Sequence, residues 1–193
     1  MKQMTLTILK QLKKHYPDVK CFLTHQDPVQ LLVSVILSAQ CTDARVNKVT
    51  PALFRRFKTA KNFAYCNIKE LEKYVKSTGF YHSKAKNIQG ACKMITEHFN
   101  GKVPNTMENL LKLPGVGRKT ANVVLATAYG KIEGVTVDTH VTRLSQRLGL
   151  TKHKDPIKIE QDLMKIIPKK DWDNISLLLI QHGRKLCTAR KPK

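Results

Sequence analysis

Apolar positions recur at helical spacing along almost the whole chain. Near the start, Ile8, Leu9, Leu12 and Tyr16 share one face, with lysines between them. Asp27-Pro28 reads as an N-cap followed by proline at the first helical position, opening an apolar helix through Leu31, Leu32, Val35 and Ile36. Thr42 or Asp43 caps a helix carrying Val46, Val49, Leu53 and Phe57. Asn67 with Glu70 has the form of a capping box ahead of Leu71 and Val75, and Gly79 ends that helix. Ser83 opens another, with Ile88, Cys92, Ile95 and Phe99 on one face and Asn100-Gly101 as its stop. A short helix near 106–112 leads into a glycine turn, and the next runs from Arg118 to about Tyr129, ending at Gly130. Thr139 to Leu148 reads as helix stopped by Gly149. Asp155-Pro156 repeats the cap-and-proline signal, and a last helix follows Asp171 with Trp172, Leu178 and Leu179. Only Gly134 to Val137 looks extended, too short to argue a sheet. The predicted fold class is all-α.

Charge changes the picture. The 193 residues hold 35 Lys+Arg against 14 Asp+Glu, a formal +21. A polyanionic partner accounts for that imbalance better than solubility does, and nucleic acid is the commonest one. A membrane surface is the competitor, weakened because the basic residues are spread along the chain instead of gathered in one amphipathic segment. No apolar run approaches the roughly 20 residues that span a bilayer. The N-terminus lacks the continuous apolar stretch and cleavage site of a signal peptide, so the expected location is cytoplasmic, on the nucleoid if the source is bacterial. Cys21, Cys41, Cys66, Cys92 and Cys187 are odd in number and irregular in spacing, which does not suit a disulfide framework. Cys92 lies on an apolar face and reads as a buried thiol.

The chemistry concentrates in residues 111–140, LKLPGVGRKTANVVLATAYGKIEGVTVDTH. Leu113-Pro114-Gly115-Val116-Gly117 between two helical patterns makes a helix-hairpin-helix. Its backbone N–H groups face outward beside the positive end of the next helix, which suits gripping a phosphate without reading sequence. A compact helix–helix corner would also use such a turn. Lys119 follows in the first turn of the second helix and can serve as a nucleophile. Asp138, ahead of Thr139 and His140, can be its electrostatic partner, or simply a helix cap.

With Lys119 and Val137-Asp138-Thr139-His140 added, the chain resembles the endonuclease III family of helix-hairpin-helix DNA glycosylases. The resemblance runs over nearly the whole length. It includes Leu37-Ser38-Ala39-Gln40-Cys41-Thr42-Asp43, Gly79-Phe80-Tyr81-His82-Ser83-Lys84-Ala85, His182-Gly183-Arg184 and Cys187-Thr188-Ala189-Arg190-Lys191-Pro192. It implies two helical domains flanking a DNA-binding cleft: a bundle over 21–131 with the hairpin, and a second domain from 1–20 plus 132–193 that is a truncated iron–sulfur domain.

The resemblance also implies roles. Lys119 matches the catalytic lysine, whose neutral amine attacks C1′ of the damaged nucleotide and expels the base. The resulting Schiff base then permits β-elimination 3′ to the lesion. Asp138 matches the catalytic aspartate, stabilising positive charge on the sugar. Gln40 and Phe80 match the positions that fill the gap left when a base is flipped out. The family often has leucine where Phe80 stands. Gly115, Val116, Gly117 and Arg118 belong to the DNA-binding hairpin, and Asp43 and His140 line or brace the base pocket.

Cys187 is the departure. It fits the first position of the family's Cys-x6-Cys-x2-Cys-x5-Cys run, which binds a [4Fe–4S] cluster. Six residues follow it and the chain stops at Lys193. The expectation is a fragment of a longer protein that does not itself hold the cluster. The function expected from the resemblance is base-excision repair of oxidised pyrimidines in duplex DNA. The enzyme would be a monomer combining glycosylase and abasic-site lyase activity on DNA that carries damaged pyrimidines or abasic sites. One rival is a monofunctional glycosylase of the same superfamily, against which Lys119 argues. Another is a non-catalytic helix-hairpin-helix module, which needs neither Lys119 nor Asp138.

Overall fold

The computed structural model describes residues 2–192, so Met1 and Lys193, the outer ends of the expected second domain, lie outside the described residues. The all-α expectation holds. The helices are α1 Lys2–His15, α2 Pro28–Leu37, α3 Asp43–Arg56, α4 Ala60–Ala64, α5 Ile68–Val75, α6 Tyr81–His98, α7 Met107–Leu111, α8 Arg118–Tyr129, α9 Thr139–Arg147, α10 Pro156–Ile166 and α11 Trp172–Lys185. Among the described residues there is no strand.

Local signals explain most boundaries. Asp27 caps α2 by accepting from Gln30 N, Thr42 caps α3 through Arg45 N, and Asp155 caps α10 through Lys158 N. Two readings need correction. Asn67 caps α5 alone, through Lys69 N, because the Glu70 carboxylate is drawn to Arg56 at 2.6 and 3.1 Å. The reciprocal box stands instead at Thr59 and Asn62, ahead of the five-residue α4. The helix expected to open at Ser83 starts two residues earlier, at Tyr81, because Phe80 turns the chain through a left-handed conformation.

The chain divides into two compact units, one of which is Phe22–Gly130. At its centre lies α2, buried at every position from Leu31 to Leu37 and packed against α3, α6 and α8. Helix α6 packs on α4 and α5, and α7 on α8. Phe57 is a corner post, with its ring centroid 5.1 Å from that of Phe63 and 5.7 Å from that of Tyr74. Cys92 is fully buried, and burial pushes its thiol up to about 12, which makes it an inert core residue.

The other unit joins the two ends of the chain, up to Cys21 and from Lys131. Here α1 and α9 pack on α11, and α10 packs on α9. Lys13 pairs with Asp171, and the Tyr16 hydroxyl lies 3.0 Å from Nδ1 of His182. Gly183 lets α11 approach α9 closely: a Cβ there would lie 2.9 Å from His140 Nδ1 and 3.0 Å from Arg143 NH2.

Burial, assisted by nearby His15, holds His182 below its ordinary value of 6.5. The unfolded chain therefore takes up the proton more readily than the fold does. Its stabilising contribution is complete above the unfolded value and is lost as pH falls through it toward the lower folded value. We expect the stability difference between the parent and His182→Gln, measured by urea denaturation, to shrink between about pH 7.5 and about pH 5.5. A difference independent of pH would mean that His182 is protonated equally in both states.

Candidate functional site

The hairpin is α7, the turn through Gly117, and α8. Gly115 sits at φ +75°, and a Cβ there would lie 2.8 Å from Asn87 Cβ on α6. Both the backbone angle and the space exclude a side chain. Pro114 touches α6 as well: a Cβ on Gly90 would meet its ring at 3.2 Å. Val116 differs from the outward-facing turn expected of it. Its side chain is buried, and its N–H donates to Leu113 O at 3.1 Å. It anchors the turn and presents neither group outward.

Gly117 is the N-cap residue of α8, and nothing lies within 4 Å of its missing Cβ. It brings no side-chain acceptor, so the N–H groups of the first turn of α8 lack the cap that Asp27, Thr42, Thr59, Asn67 and Thr106 give to α2, α3, α4, α5 and α7. Arg118 and Lys119 are exposed in that turn. A helix start without a side-chain cap, with open space at Gly117 and two exposed cations, has the chemistry that suits an anion.

Gln40 and Phe80 share a feature that their residue types do not announce. Both adopt left-handed backbone, at φ +50° and +48°. For a bulky residue this conformation costs about 1–2 kcal/mol, and strain of this kind gathers at functional sites. Phe80 is 67% exposed and caps α6 with no side-chain acceptor. Behind it, the Tyr81 and His82 rings stack with centroids 4.0 Å apart, and His82 Nδ1 lies 2.7 Å from Glu72 Oε1. Beneath the turn is Lys84, buried, with Nζ donating to Thr78 O at 2.7 Å. Sequence reasoning passed over Lys84 as one basic residue among many. The signal was its register, four residues ahead of Ile88 on the apolar face of α6. Asp43 is half-buried in the first turn of α3.

In the other unit, Asp138 is half-buried and caps α9, one oxygen accepting from Val141 N at 2.8 Å. His140 Nδ1 lies 3.2 Å from Arg143 NH2, a guanidinium nitrogen that also donates to Gly183 O and Cys187 O. His140 therefore belongs to the α9–α11 packing. Arg147 donates to Cys187 Sγ at 3.2 Å, to Thr188 O and to Ala189 O. Two arginines of α9 thus hold residues 183–189 in place.

The cluster implied by the resemblance needs four thiolates. Cys187 supplies one, and its sulfur is engaged by Arg147. Among the described residues no group of three His, Cys, Asp or Glu side chains could hold a metal ion. The described residues do not fit the cluster. Among the described residues no helix is long and apolar enough to cross a membrane.

Comparison with known proteins bears on the same region. The family model for HhH-GPD superfamily base excision DNA repair proteins matches residues 33–169. The chain is 64% identical over 191 residues to an endonuclease III of Synechocystis sp., covering 99% of this chain and 87% of that one. It is 46% identical over 186 residues to the Bacillus subtilis endonuclease III, covering 96% and 84%. Among solved structures, a non-covalent endonuclease III–DNA complex superposes with a TM-score of 0.95 at 46% identity, covering 100% of this chain and 90% of that one. A trapped endonuclease III–DNA covalent intermediate gives 0.95 at 45% identity, covering 100% and 91%. A thermostable thymine-DNA glycosylase, at 22% identity and a TM-score of 0.83, shares the fold.

The two turn glycines differ in what they can tolerate. Gly115→Ala should lower stability in urea denaturation by about 1–3 kcal/mol, through left-handed strain and the clash with Asn87. Gly117→Ala meets open space at an ordinary backbone angle and should stay within about 1 kcal/mol of the parent. Equal losses would contradict this account of the turn.

Proposed function

The chain belongs to the HhH-GPD superfamily of base excision DNA repair proteins, and within it to the endonuclease III family, and on that footing we propose that Lys119 and Asp138 carry its chemistry. The protein is a base-excision repair DNA glycosylase with abasic-site lyase activity, and its substrate class is oxidised pyrimidines in duplex DNA. The observation that carries the assignment is the first turn of α8, which has no side-chain cap and holds Lys119.

A phosphate of the lesion strand seats on that turn through N–H groups and the helix dipole, with Arg118 adding charge. Gly117 leaves room for its approach. Lys119 is exposed in the protein alone, so DNA itself must exclude water from around the amine. The neutral Nζ attacks C1′, the N-glycosidic bond breaks, and its electron pair leaves with the base. Ring opening gives a Schiff base between Nζ and C1′. Loss of a C2′ proton then expels the 3′ phosphate by β-elimination, and hydrolysis of the imine restores the lysine. Asp138 supplies negative charge toward C1′ as positive charge builds there, and can relay protons. One oxygen is already fixed by Val141 N, which orients the carboxylate and leaves the other oxygen for the substrate.

The flipped nucleotide leaves a gap in the stack. Gln40 and Phe80 are suited to occupy it, being exposed on turns held in left-handed backbone. An aromatic ring at position 80 can stack on the neighbouring bases as well as separate them.

Lys119→Ala and Lys119→Gln should abolish borohydride trapping and strand cleavage while damaged-DNA binding survives. An adduct of normal yield in Lys119→Ala would remove Lys119 from the mechanism. A parent that binds DNA but forms no adduct would point to a water-using glycosylase or a binding module.

Asp138→Asn separates capping from chemistry, because asparagine keeps the acceptor for Val141 N but loses the charge. Single-turnover base excision at saturating enzyme should fall by about 10²–10⁴-fold with DNA affinity retained. A rate within a few-fold of the parent would make Asp138 a cap and nothing more.

A further inference from the structure

Lys84 is a lysine in the core. It is 4% exposed, on the face of α6 that also buries Ile88 and Ile95. Its ammonium makes no ion pair among the described residues. Its hydrogen bond goes to the carbonyl of Thr78, the last residue of the turn Lys76–Thr78. Thr78 is itself buried, with its hydroxyl donating to Val75 O at 2.8 Å. The next two residues are Gly79 at φ +71° and Phe80 at φ +48°. An apolar side chain of similar length would fill the same space without taking a charge out of water. It could not hold the Thr78 carbonyl.

We propose that Lys84 is a positioning residue for Phe80: by fixing the carbonyl two residues upstream, its buried ammonium holds the Gly79-Phe80 turn in the strained form that presents the ring to the DNA stack. The proposal rests on the gap-filling role assigned to Phe80 above. A non-glycine residue persists in left-handed backbone only where its surroundings over-determine it. Here Phe80 is pinned downstream by the start of α6 and upstream by Thr78. The downstream end has no side-chain cap, since Phe80 offers α6 no acceptor. Upstream, the Thr78 hydroxyl holds Val75 O and Gly79 N reaches Lys76 O at 3.4 Å, while the Thr78 carbonyl next to Gly79 is held by Lys84.

The test is a double-mutant cycle with Lys84→Met and Phe80→Ala, read as single-turnover excision from a duplex holding one oxidised pyrimidine. Lys84→Met should slow excision about tenfold, and adding it to Phe80→Ala should slow that variant no further, because neighbours acting through one element are not additive. Full additivity would overturn the proposal, since Lys84 would then act on the fold at large. Amide exchange in the DNA-free protein provides the second reading. In Lys84→Met, exchange should accelerate at Gly79–His82 and stay unchanged at Ile88–Ile95, and unchanged exchange at Gly79–His82 would also overturn it. If Lys84→Met does not fold, Lys84→Gln, whose shorter side chain falls short of the Thr78 carbonyl, carries both measurements. The exchange arm needs neither DNA nor activity. Failure of the parent to trap with borohydride would therefore sink the reading of the reaction while leaving Lys84 judged on its own result.

Discussion

Burial of α2 is the constraint from which the Phe22–Gly130 unit follows. A helix buried at every position from Leu31 to Leu37, all apolar but Ser34, must be sheathed completely. Helices α3, α6 and α8 provide the sheath, and each sheathing contact fixes something exposed. The end of α2 sets where Gln40 emerges. The seat of α8 on α2 sets the position of the turn that bears Lys119. The seat of α6 sets the start of that helix at Phe80. The hairpin is then tied to α6 a second time, at Gly115 against Asn87 and Pro114 against Gly90. These are contacts of closest approach, so a small change in one helix moves the exposed turn it supports.

In the Phe22–Gly130 unit the exposed Phe80 and Lys119 stand at helix starts without a side-chain cap. Five helix starts of the Phe22–Gly130 unit are closed by a Thr, Asn or Asp side chain, those of Asp27, Thr42, Thr59, Asn67 and Thr106. The two helices of that unit without such a cap, among the described residues, are α6 and α8. Those are the starts assigned here to the stack-filling ring and the phosphate. A side-chain cap would compete with an external acceptor for the same N–H groups. Leaving the start bare forgoes about 1 kcal/mol of local stability and keeps the site open. The formal charge of +21 then brings the polyanion to it.

What the sequence made legible was local. Asp27-Pro28 and Asp155-Pro156 mark helix starts because the cap side chain and the proline angle act within one turn. The five residues of α4 are too few to display a period, so that helix leaves no pattern. Asn67 and Glu70 had the right spacing for a box, but Arg56, fourteen residues earlier in the chain, takes the carboxylate. The left-handed angles at Gln40 and Phe80 are invisible in residue type, because only tertiary packing holds such residues there. Lys84 was hidden for a similar reason. A lysine reads as surface by residue type, although its place four residues ahead of Ile88 puts it on the buried face of α6.

The role proposed for Asp138 is compatible with its role as a cap. A catalytic carboxylate must be held in orientation without being neutralised. Pairing it with a fixed cation would orient it but cancel the field it is meant to supply. A backbone N–H orients it and leaves the charge in place, and a helix start offers such a donor at fixed geometry. The accuracy of that arrangement is then the accuracy of α9. Helix α9 is packed tightly on α11 at Gly183 and grips residues 183–189 through Arg143 and Arg147. The far end of α9 is thus stiffened by the same segment that carries Cys187, and Asp138 inherits that stiffness through a single rigid helix.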